Sequence, residues 1–501
     1  MRRVRAADGR ADEVRFACRV RQSVRRKEKP PLLSGGLGET GHSYMNITIT
    51  RKIMKRLVFL FCAVAVLSCR ASAGFDEGVV AYEKGDYTTA AKLWRPLAER
   101  GNAAAQFNIG LLYENGQGVE KNESLAAGWF QKAGDQGDGL AQFKLGVFYQ
   151  RGLGVKKDDV QAVQWYRKAA EQGVRDAQHY LGHMYHTGQG VEKDASQAAV
   201  WYRKAAEQGH PFAQNSLGNM YRTGRGVPQD LEQAKTLLHK SAEQGNPKAY
   251  YNLGHLYRMD SGMRDYSLAA AWFRKAADKG ERAAQYNLGL MHENGEGVEK
   301  SDVKAADWYL KAAGQGHAQA QYQIGKLYCN GRGVPKNYSQ GLAWMRKAAD
   351  QGDVEAMTFI GAAYAIGNGV PQDFQQTSAW LQKAADRNHV PAQAQLGYLY
   401  YMGKGVPQNY EKAYALFRPA AEAGHANAMG ALGSMLEKGE AVKTNETDAL
   451  KWYIKAAEAG SHISMKRLAA AYENGELGLR RDPAKARYWL SKADAARKAQ
   501  L

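Results

Sequence analysis

A block of about 36 residues repeats along almost the whole 501-residue chain, and this period constrains the fold more than any other feature. One copy runs from Val174 to Gly209 and reads VRDAQHYLGHMYHTGQGVEKDASQAAVWYRKAAEQG. A glycine that follows a leucine or isoleucine marks the register, and successive markers are 36 residues apart except for one spacing of 35. The markers are Gly110, Gly146, Gly182, Gly218, Gly254, Gly289, Gly325, Gly361, Gly397 and Gly433, with Ala469 in the last copy. Such a period indicates stacked supersecondary units and excludes a single globular core.

Each copy contains two helical segments joined by a glycine-containing turn. In the first segment, Ala177, Leu181 and Tyr185 share one helical face at i, i+4 and i+8. The apolar stripe of the second segment consists of Ala198, Trp201, Tyr202, Ala205 and Ala206. The glycines of the intervening GQGV permit positive φ, so that one helix ends and the chain turns back. Each unit is therefore predicted to be an αα-hairpin, whose stripes, Trp201 included, are buried when neighbouring hairpins stack.

The repeated pattern resembles that of a known family. The motif A-x3-LG-x-[LM]-Y-x2-G-x-GV followed by A-x2-WY-x-KAA-x-QG is similar to the Sel-1-like repeats, which are relatives of the tetratricopeptide repeats. Eleven copies cover residues 102–501, and a shorter hairpin at 75–101 resembles a tetratricopeptide unit that caps the array. The resemblance implies an all-α, α/α superhelical solenoid of about 12 hairpins that serves as a protein-interaction scaffold and shares no catalytic site.

The first 73 residues lie outside the repeat and resemble a secretory leader. Met54 begins a basic segment, an apolar stretch (LVFLFCAVAVLSC) and a small-x-small cleavage site that ends at Ala73. Residues 54–73 are therefore predicted to be a signal peptide, and the apolar stretch is too short for a membrane span. The segment before Cys69 also approximates a bacterial lipobox, which leaves a lipoprotein as the alternative. The arginine-rich residues 1–53 are interpreted as a misassigned start or a disordered basic leader.

The charge of the chain is concentrated in this leader. Residues 1–53 carry 13 Lys and Arg against 5 Asp and Glu, a net charge of +8, and Lys55, Arg56 and Arg70 add three more. Of the total of +19, residues 74–501 therefore keep +8, which is ordinary for their length. Basicity thus gives no argument for a nucleic-acid partner.

Cysteine usage separates the chain from one branch of the resembled family. Only Cys329 remains after cleavage at Ala73, so no intramolecular disulfide can form. Some secreted members of that family are cysteine-rich and have been associated with penicillin binding or β-lactamase-like activity. The absence of those cysteines argues against carrying such an activity over, and stability is expected to come from stacking alone.

Positions that vary between repeats are free to serve a partner, and they identify a candidate binding groove. Counted from the marker glycine at 100° per residue, positions −3, −2, +1 and +4 of the first helix lie opposite the constant apolar residues. In solenoids of the tetratricopeptide type this helix lines the concave groove. Aromatic and arginine side chains dominate binding hot spots. The candidate groove residues are Tyr251, Tyr286, Tyr322, Arg222, Arg258, His179, His183 and Tyr398. The alternative is that the −3 aromatics pack against the next layer.

Histidines recur in two patterns. His179, His183 and His186 share a face at i, i+4 and i+7, a spacing that can hold a metal, but no acidic or cysteine partner accompanies them. A second set follows the end of the second helix and is assigned to the turn; its members are His210, His317, His389 and His425. No nucleophile elbow, phosphate loop or paired-carboxylate motif is present in the sequence. No metal, cofactor or catalytic residue is therefore predicted.

These observations favour an exported, non-catalytic scaffold, periplasmic or secreted, that binds a protein or peptide in its groove. We expect a monomer without an integral membrane span after signal cleavage. An assembly factor for polysaccharide or peptidoglycan machinery of the cell envelope is the alternative, and a penicillin-interacting hydrolase is a more distant one.

Overall fold

The structure, a computed structural model, describes residues 74–499. The interpretations of residues 1–53 as a leader, of 54–73 as a signal peptide and of Cys69 as a lipidation site lie outside the described residues. Between residues 74 and 499 the chain forms α-helices and one 3₁₀ turn, with no β-strand. The all-α solenoid architecture predicted from the repeat is confirmed.

The described residues divide into two compact units, with the division between Asn252 and Leu253 inside one helix. A capping hairpin comes first: α1 covers residues 74–83 and α2 is Tyr87–Glu99. The hairpins that follow it up to the division are α3 (Ala103–Asn115), α4 (Glu123–Asp135), α5 (Gly139–Arg151), α6 (Asp159–Glu171), α7 (Arg175–Thr187), α8 (Ala195–Glu207), α9 (Pro211–Thr223) and α10 (Leu231–Glu243).

The helix α11 (Pro247–Met259) contains the division, and the second unit continues with the same alternation. Its helices are α12 (Tyr266–Asp278), α13 (Arg282–Asn294), α14 (Asp302–Gly314), α15 (Ala318–Asn330), α16 (Tyr338–Asp350), α17 (Val354–Ile366), α18 (Phe374–Ala385), α19 (Val390–Met402), α20 (Tyr410–Glu422), α21 (Ala426–Lys438), α22 (Glu446–Glu458), α23 (His462–Asn474) and α24 (Pro483–Ala499). Repeats 1 to 11 are the hairpins from α3–α4 to α23–α24, so odd-numbered helices are first helices and even-numbered ones are second helices. The predicted continuity of one solenoid over residues 102–501 stays a prediction.

The G-x-G turn ends the first helix and reverses the chain, as the sequence predicts. Each of its two glycines is required for a different reason. Gly188 caps α7 in the left-handed conformation, with φ 79°. Gly190 also has a positive φ of 65°, and a Cβ built there would lie 2.1 Å from the carbonyl oxygen of Asp159 in the preceding hairpin. The second glycine therefore lets the turn approach the start of the neighbouring second helix.

The marker glycine makes room for a ring from the second helix of the same repeat. A Cβ on Gly182 would lie 2.8 Å from Cδ1 of Tyr202 and 3.2 Å from the Ala198 carbonyl oxygen. In repeat 2 the corresponding distance from Gly146 to the Tyr166 ring is 2.4 Å. The Tyr202 ring makes most of this close approach at Gly182, and the backbone carbonyl of Ala198 makes the rest.

Trp201 does not fill the core as its place on the apolar stripe predicts. Tyr202 is 2% exposed, whereas Trp201 is half-buried at the edge of the cluster that contains Leu181. The ammonium of Lys204, one turn later, lies 4.2 Å from the centre of the Trp201 ring. Adjacent helical residues point about 100° apart, so Tyr202 faces the first helix and Trp201 lies beside it. Trp201 packs against the core cluster but is only partly buried, whereas the equivalent Trp165 and Trp308 are each 6% exposed.

A buried glutamine joins three successive helices in many repeats. In repeat 3, Gln178 donates from Nε2 to the Ala170 carbonyl of α6 at 3.1 Å, and its Oε1 accepts from Gln208 at 2.8 Å. The same pair of bonds recurs at Gln106, Gln142, Gln214, Gln285 and Gln321. Each of these carbonyls also accepts a backbone amide at the end of its helix, so the glutamine adds a second bond that ties each hairpin to the previous one.

The irregular repeat 5 has the shifted loop that its missing residue predicts. A 3₁₀ turn at Ser261–Met263 replaces the G-x-G turn, and the Asp265 amide donates to the Tyr257 carbonyl at 2.7 Å. The next helix then begins normally, with the Asp265 carboxylate accepting from the Leu268 amide.

Candidate functional site

Tyr286, at position −3 of repeat 6, packs inside its own repeat. Its ring lies 5.8 Å from the Tyr309 ring of α14. It also stacks on the imidazole of His317, which caps α15, with the ring centres 4.7 Å apart and the planes at 23°. Burial raises the pKa of the Tyr286 hydroxyl. The aromatic side chain therefore fills the space between two helices and the cap of the next.

His179 fills the corresponding space in repeat 3. Its imidazole lies 5.7 Å from the Tyr202 ring and stacks on His210 at 4.5 Å and 19°. Burial, with smaller contributions from His210 and His183, lowers the pKa of His179 to about 3. The imidazole is uncharged at neutral pH, and its buried Nδ1 has no hydrogen-bond partner.

The other histidines of repeat 3 do not assemble around a common point. His183 is exposed on the following turn, and burial lowers the pKa of His186. Among residues 74–499, no group of three His, Cys, Asp or Glu side chains is placed to hold a metal ion. Chemically, this face offers stacked rings and uncharged imidazoles.

The two predicted arginines are engaged within their own units. Arg258 donates to the Glu296 carboxylate at 2.8 Å and to Oδ1 of Asn287 at 2.9 Å. Arg222 donates from Nε and Nη2 to Oδ1 of Asn219, at 3.2 and 3.1 Å. A partner that binds either guanidinium therefore has to share it with these contacts.

The remaining predicted tyrosines differ in exposure. Tyr251 is half-buried in α11, and Tyr322 is half-buried in α15 with the Lys326 ammonium 5.5 Å from its ring centre. Tyr398 of α19 is 54% exposed and borders a pocket. The predicted groove residues thus belong to both units, and their assignment to one partner surface stays a prediction.

The pocket beside Tyr398 has a volume of about 770 Å³ and lies between the first helices of repeats 9, 10 and 11. Ligand pockets in proteins span about 300–1,000 Å³. Its lining is mostly apolar and includes Leu381, Ala394, Leu399, Phe417, Ala431 and Ile463. A space of this size can take a large side chain or a short segment of a partner.

The pocket exists because position −3 is small in these repeats. Repeats 9 and 10 carry Ala394 and Gly430 where repeat 6 carries Tyr286. In repeat 8 the residue is Thr358, whose hydroxyl lies 2.9 Å from Nδ1 of the capping His389. In repeats 9 and 10, therefore, no aromatic ring of the chain itself occupies this place.

The walls of the pocket carry little net charge. The helix α19 has no charged residue. Arg467, which lines the far end, is bound by the Glu437 carboxylate and by Glu476, whose Oε2 lies 2.6 Å from Nη1; the hydrogen bond to Glu437 raises the pKa of Arg467. His425 caps α21 by accepting from the Ala428 amide at 3.3 Å, and burial lowers its pKa.

The prediction from sequence included Tyr398 but missed the residues that open the pocket. The sequence does contain a sign of the pocket: position −3, which is aromatic in several earlier repeats, is occupied by Ala394 in repeat 9 and by Gly430 in repeat 10. The sequence suggested that the −3 aromatics contact a partner or, alternatively, pack against the next layer. In repeats 3 and 6 the rings of His179 and Tyr286 pack against the second helix and the histidine that caps the next helix.

No helix among residues 74–499 has the length and apolar content required to cross a membrane.

Comparison with protein families gives one matching model, described as Sel1 repeat. It matches eleven consecutive segments: 103–138, 139–174, 175–210, 211–246, 247–281, 282–317, 318–353, 354–389, 390–425, 426–461 and 462–493. The curated proteins contain no significant match.

Two solved structures are similar over most of their own length. A protective antigen present in uropathogenic Escherichia coli strains, which displays an SLR fold, is 34% identical, covers 82% of this chain and 90% of its own, and superposes with a TM-score of 0.65. A Sel1 repeat protein from Oxalobacter formigenes is 36% identical, covers 62% of this chain and 89% of its own, with a TM-score of 0.51.

Proposed function

Because this chain belongs to the Sel1-repeat family, we propose that it is an exported, non-catalytic scaffold whose first helices in repeats 8–11 bind a partner protein. Sel1-repeat proteins bind proteins and are typically non-catalytic scaffolds. The finer assignment rests on the pocket at Ala394 and Gly430, because an open apolar space of side-chain size within a solenoid is a surface that a partner can fill.

Export is the second part of the proposal. It is supported by the order of basic segment, apolar stretch and cleavage site in residues 54–73. The relative in uropathogenic Escherichia coli is a protective antigen, a property that fits an exported protein. The proposed location is the periplasm or the medium, with a lipid anchor on Cys69 as the alternative.

The export proposal is tested by intact-mass measurement of protein from the native cell. We expect a chain that begins at Gly74. A mass that corresponds to a chain beginning at Cys69 with acyl chains attached supports lipidation of Cys69 instead of cleavage after Ala73. A mass that retains the arginine-rich residues 1–53 overturns export through this signal.

The binding proposal is tested by placing a photo-crosslinking amino acid at two sites in cells. One site is Tyr398, which borders the pocket, and the control is Gln376, which is exposed on α18 and does not line it. We expect a discrete protein adduct from position 398 and none from position 376. Adducts of equal yield from both positions, or from the control alone, place the partner elsewhere.

A further inference from the structure

We infer that the pocket of repeats 9 and 10 receives an aromatic side chain of the partner. This inference rests on the proposed function and names the chemistry that the scaffold recognises. It follows from what equivalent positions hold in other repeats of the same chain.

Two repeats show which side chain this space accepts. In repeat 6, the Tyr286 ring lies between Tyr309 and the stacked imidazole of His317. In repeat 3, the His179 ring lies between Tyr202 and the stacked His210. In both cases a flat ring occupies position −3, with an aromatic residue of the second helix on one side and a capping histidine on the other. Aromatic pairs at these distances are favourable beyond the area they bury.

Repeat 9 has the aromatic ring of the second helix and the capping histidine, but it lacks the ring between them. Phe417 is equivalent to Tyr309, and His425 is equivalent to His317; both line the pocket. The Phe417 ring is placed as in the other repeats, because a Cβ on the marker Gly397 would lie 2.8 Å from it, against 2.6 Å for Gly289 and Tyr309. Position −3 is Ala394, so the place of the ring is free for a side chain from outside.

Repeat 10 widens the opening toward the partner chain. Its −3 residue is Gly430, with Tyr453 of α22 and the capping Ser461 in the positions of ring and histidine. Ala394 and Gly430 thus leave both −3 positions without a ring, although the Ser464 hydroxyl lies 2.7 Å from where a Cβ of Gly430 would be. The pocket extends from Leu381 in repeat 8 to Arg467 in repeat 11. This length accommodates an aromatic residue together with the backbone beside it.

Charge contributes little to recognition in this pocket. The floor helix α19 has no charged residue. Arg467 lines the far end, and the carboxylates of Glu437 and Glu476 already bind its guanidinium. Recognition of the partner therefore depends on the aromatic ring itself.

The experiment uses two probes with the purified protein. The first is p-cresol, the side-chain analogue of tyrosine. The second is the blocked tetrapeptide acetyl-Gly-Tyr-Gly-Gly-amide, compared with the version that carries Leu for Tyr. Calorimetric titration should show one p-cresol site, and the Leu version should bind roughly two- to tenfold more weakly than the Tyr version. Equal affinity of the two peptides overturns the inference.

Three variants test the location of the site. Ala394→Tyr supplies the missing ring from within the chain and should weaken p-cresol binding at least about tenfold, because the space is then filled. Met402→Tyr is the control: it adds the same side chain to an exposed position of α19 outside the pocket and should bind p-cresol as the wild type does. Tyr286→Ala empties the equivalent space in repeat 6 and should create a second p-cresol site. Equal effects of Ala394→Tyr and Met402→Tyr overturn the inference.

If circular dichroism shows that Ala394→Tyr does not fold normally, Phe417→Leu tests the same site. Repeat 8 already carries Leu381 at that position, so the change is compatible with the fold. It should weaken p-cresol binding roughly two- to tenfold by removing one of the two rings. Unchanged binding in Phe417→Leu contradicts the inference.

The crosslink at position 398 separates this inference from the proposed function. Loss of the adduct in Ala394→Tyr but not in Met402→Tyr supports both. If the adduct persists in Ala394→Tyr while p-cresol binding is lost, the proposed scaffold function is retained, but the inference that the partner inserts an aromatic side chain is overturned. The absence of any adduct from the wild type overturns the proposed function and the inference with it.

Discussion

Repeats 6 and 9 lie in the same unit and are built on the same 36-residue pattern, yet one is filled and the other is open. In repeat 6, Tyr286 occupies the space between Tyr309 and His317. In repeat 9, Ala394 leaves that space to a pocket of about 770 Å³. Since the helices, turns and marker glycine are the same, one side chain at position −3 distinguishes the filled repeat from the open one.

The buried glutamine that bridges three helices is also absent from some of the later repeats. Repeats 6 and 7 bridge three helices through Gln285 and Gln321, whereas repeats 8, 10 and 11 carry Met357, Met429 and Met465 at that position. Methionine adapts its shape to a neighbour more readily than a hydrogen-bonded amide. Repeats 8, 10 and 11 therefore lack the glutamine side chain that makes this contact to the previous hairpin, whereas repeat 9 keeps a glutamine, Gln393.

The largest expected effect is the loss of stability when the buried ring of Tyr309 or Phe417 is removed. Tyr309→Ala should cost roughly 3–5 kcal/mol of local stability, as for other large core truncations, because its ring is fully buried and its hydroxyl donates to Glu293 at 2.7 Å. Phe417→Ala should cost about 1 kcal/mol less, because Phe417 has no hydroxyl hydrogen bond to lose. Hydrogen exchange of the flanking helices measures both. Equal losses would contradict the difference between repeats 6 and 9.

Acid should loosen repeat 3 by an amount of similar order. Burial lowers the pKa of His179 from its usual 6.5 to about 3, so the folded state favours the neutral imidazole. Its contribution is complete above pH 6.5 and is lost as the pH falls toward 3, up to about 3 kcal/mol at pH 4. The charged groups around it are Asp176, His183, His210 and Lys248.

The measurement for this prediction is hydrogen exchange of α7 and α8 at pH 7 and pH 4, corrected for the intrinsic rate. The control variant His179→Phe keeps a ring at position −3 and should lose most of the pH dependence in these helices. An unchanged pH dependence in His179→Phe assigns the effect to other groups.

Changes at position −3 itself should have intermediate and opposite effects. Tyr286→Ala should destabilise repeat 6 by about 1–2 kcal/mol, because the ring is only half-buried. Ala394→Tyr should stabilise repeat 9 by about 0.5–1 kcal/mol by filling the pocket. Local hydrogen exchange in α13 and α19 checks both signs. Destabilisation by both changes would mean that the space in repeat 9 differs in shape from that in repeat 6.

The smallest expected effect lies on the second helices. In repeat 6 the Lys311 ammonium lies 3.9 Å from the Trp308 ring centre, a pair that repeat 9 replaces with Leu416 and Pro419. Lys311→Gln should cost about 0.5–1 kcal/mol in thermal or chemical unfolding. It should leave p-cresol binding unchanged, since this pair is remote from the pocket. A change in ligand binding would connect the second-helix surface to the site.

Much of the fold follows from sequence spacing. The marker glycines, the G-x-G turns and the apolar stripes predict hairpins in register, and the resemblance to the Sel-1-like repeats extends that prediction to a solenoid. The histidines after each second helix were assigned to the turn, and His210, His317 and His425 indeed accept hydrogen bonds from the first helix that follows. These features are local: each depends on residues within one or two turns of each other.

The candidate site required the tertiary structure. The composition of the −3 row was visible in the sequence, but its meaning depends on what lies on either side of each residue. Tyr286 is enclosed by side chains 23 and 31 positions later in the chain, and Ala394 faces the same two positions with no ring between them. Helical periodicity determines which face a residue is on. Whether that face is filled or open depends on the volumes of side chains that only the folded hairpins bring together.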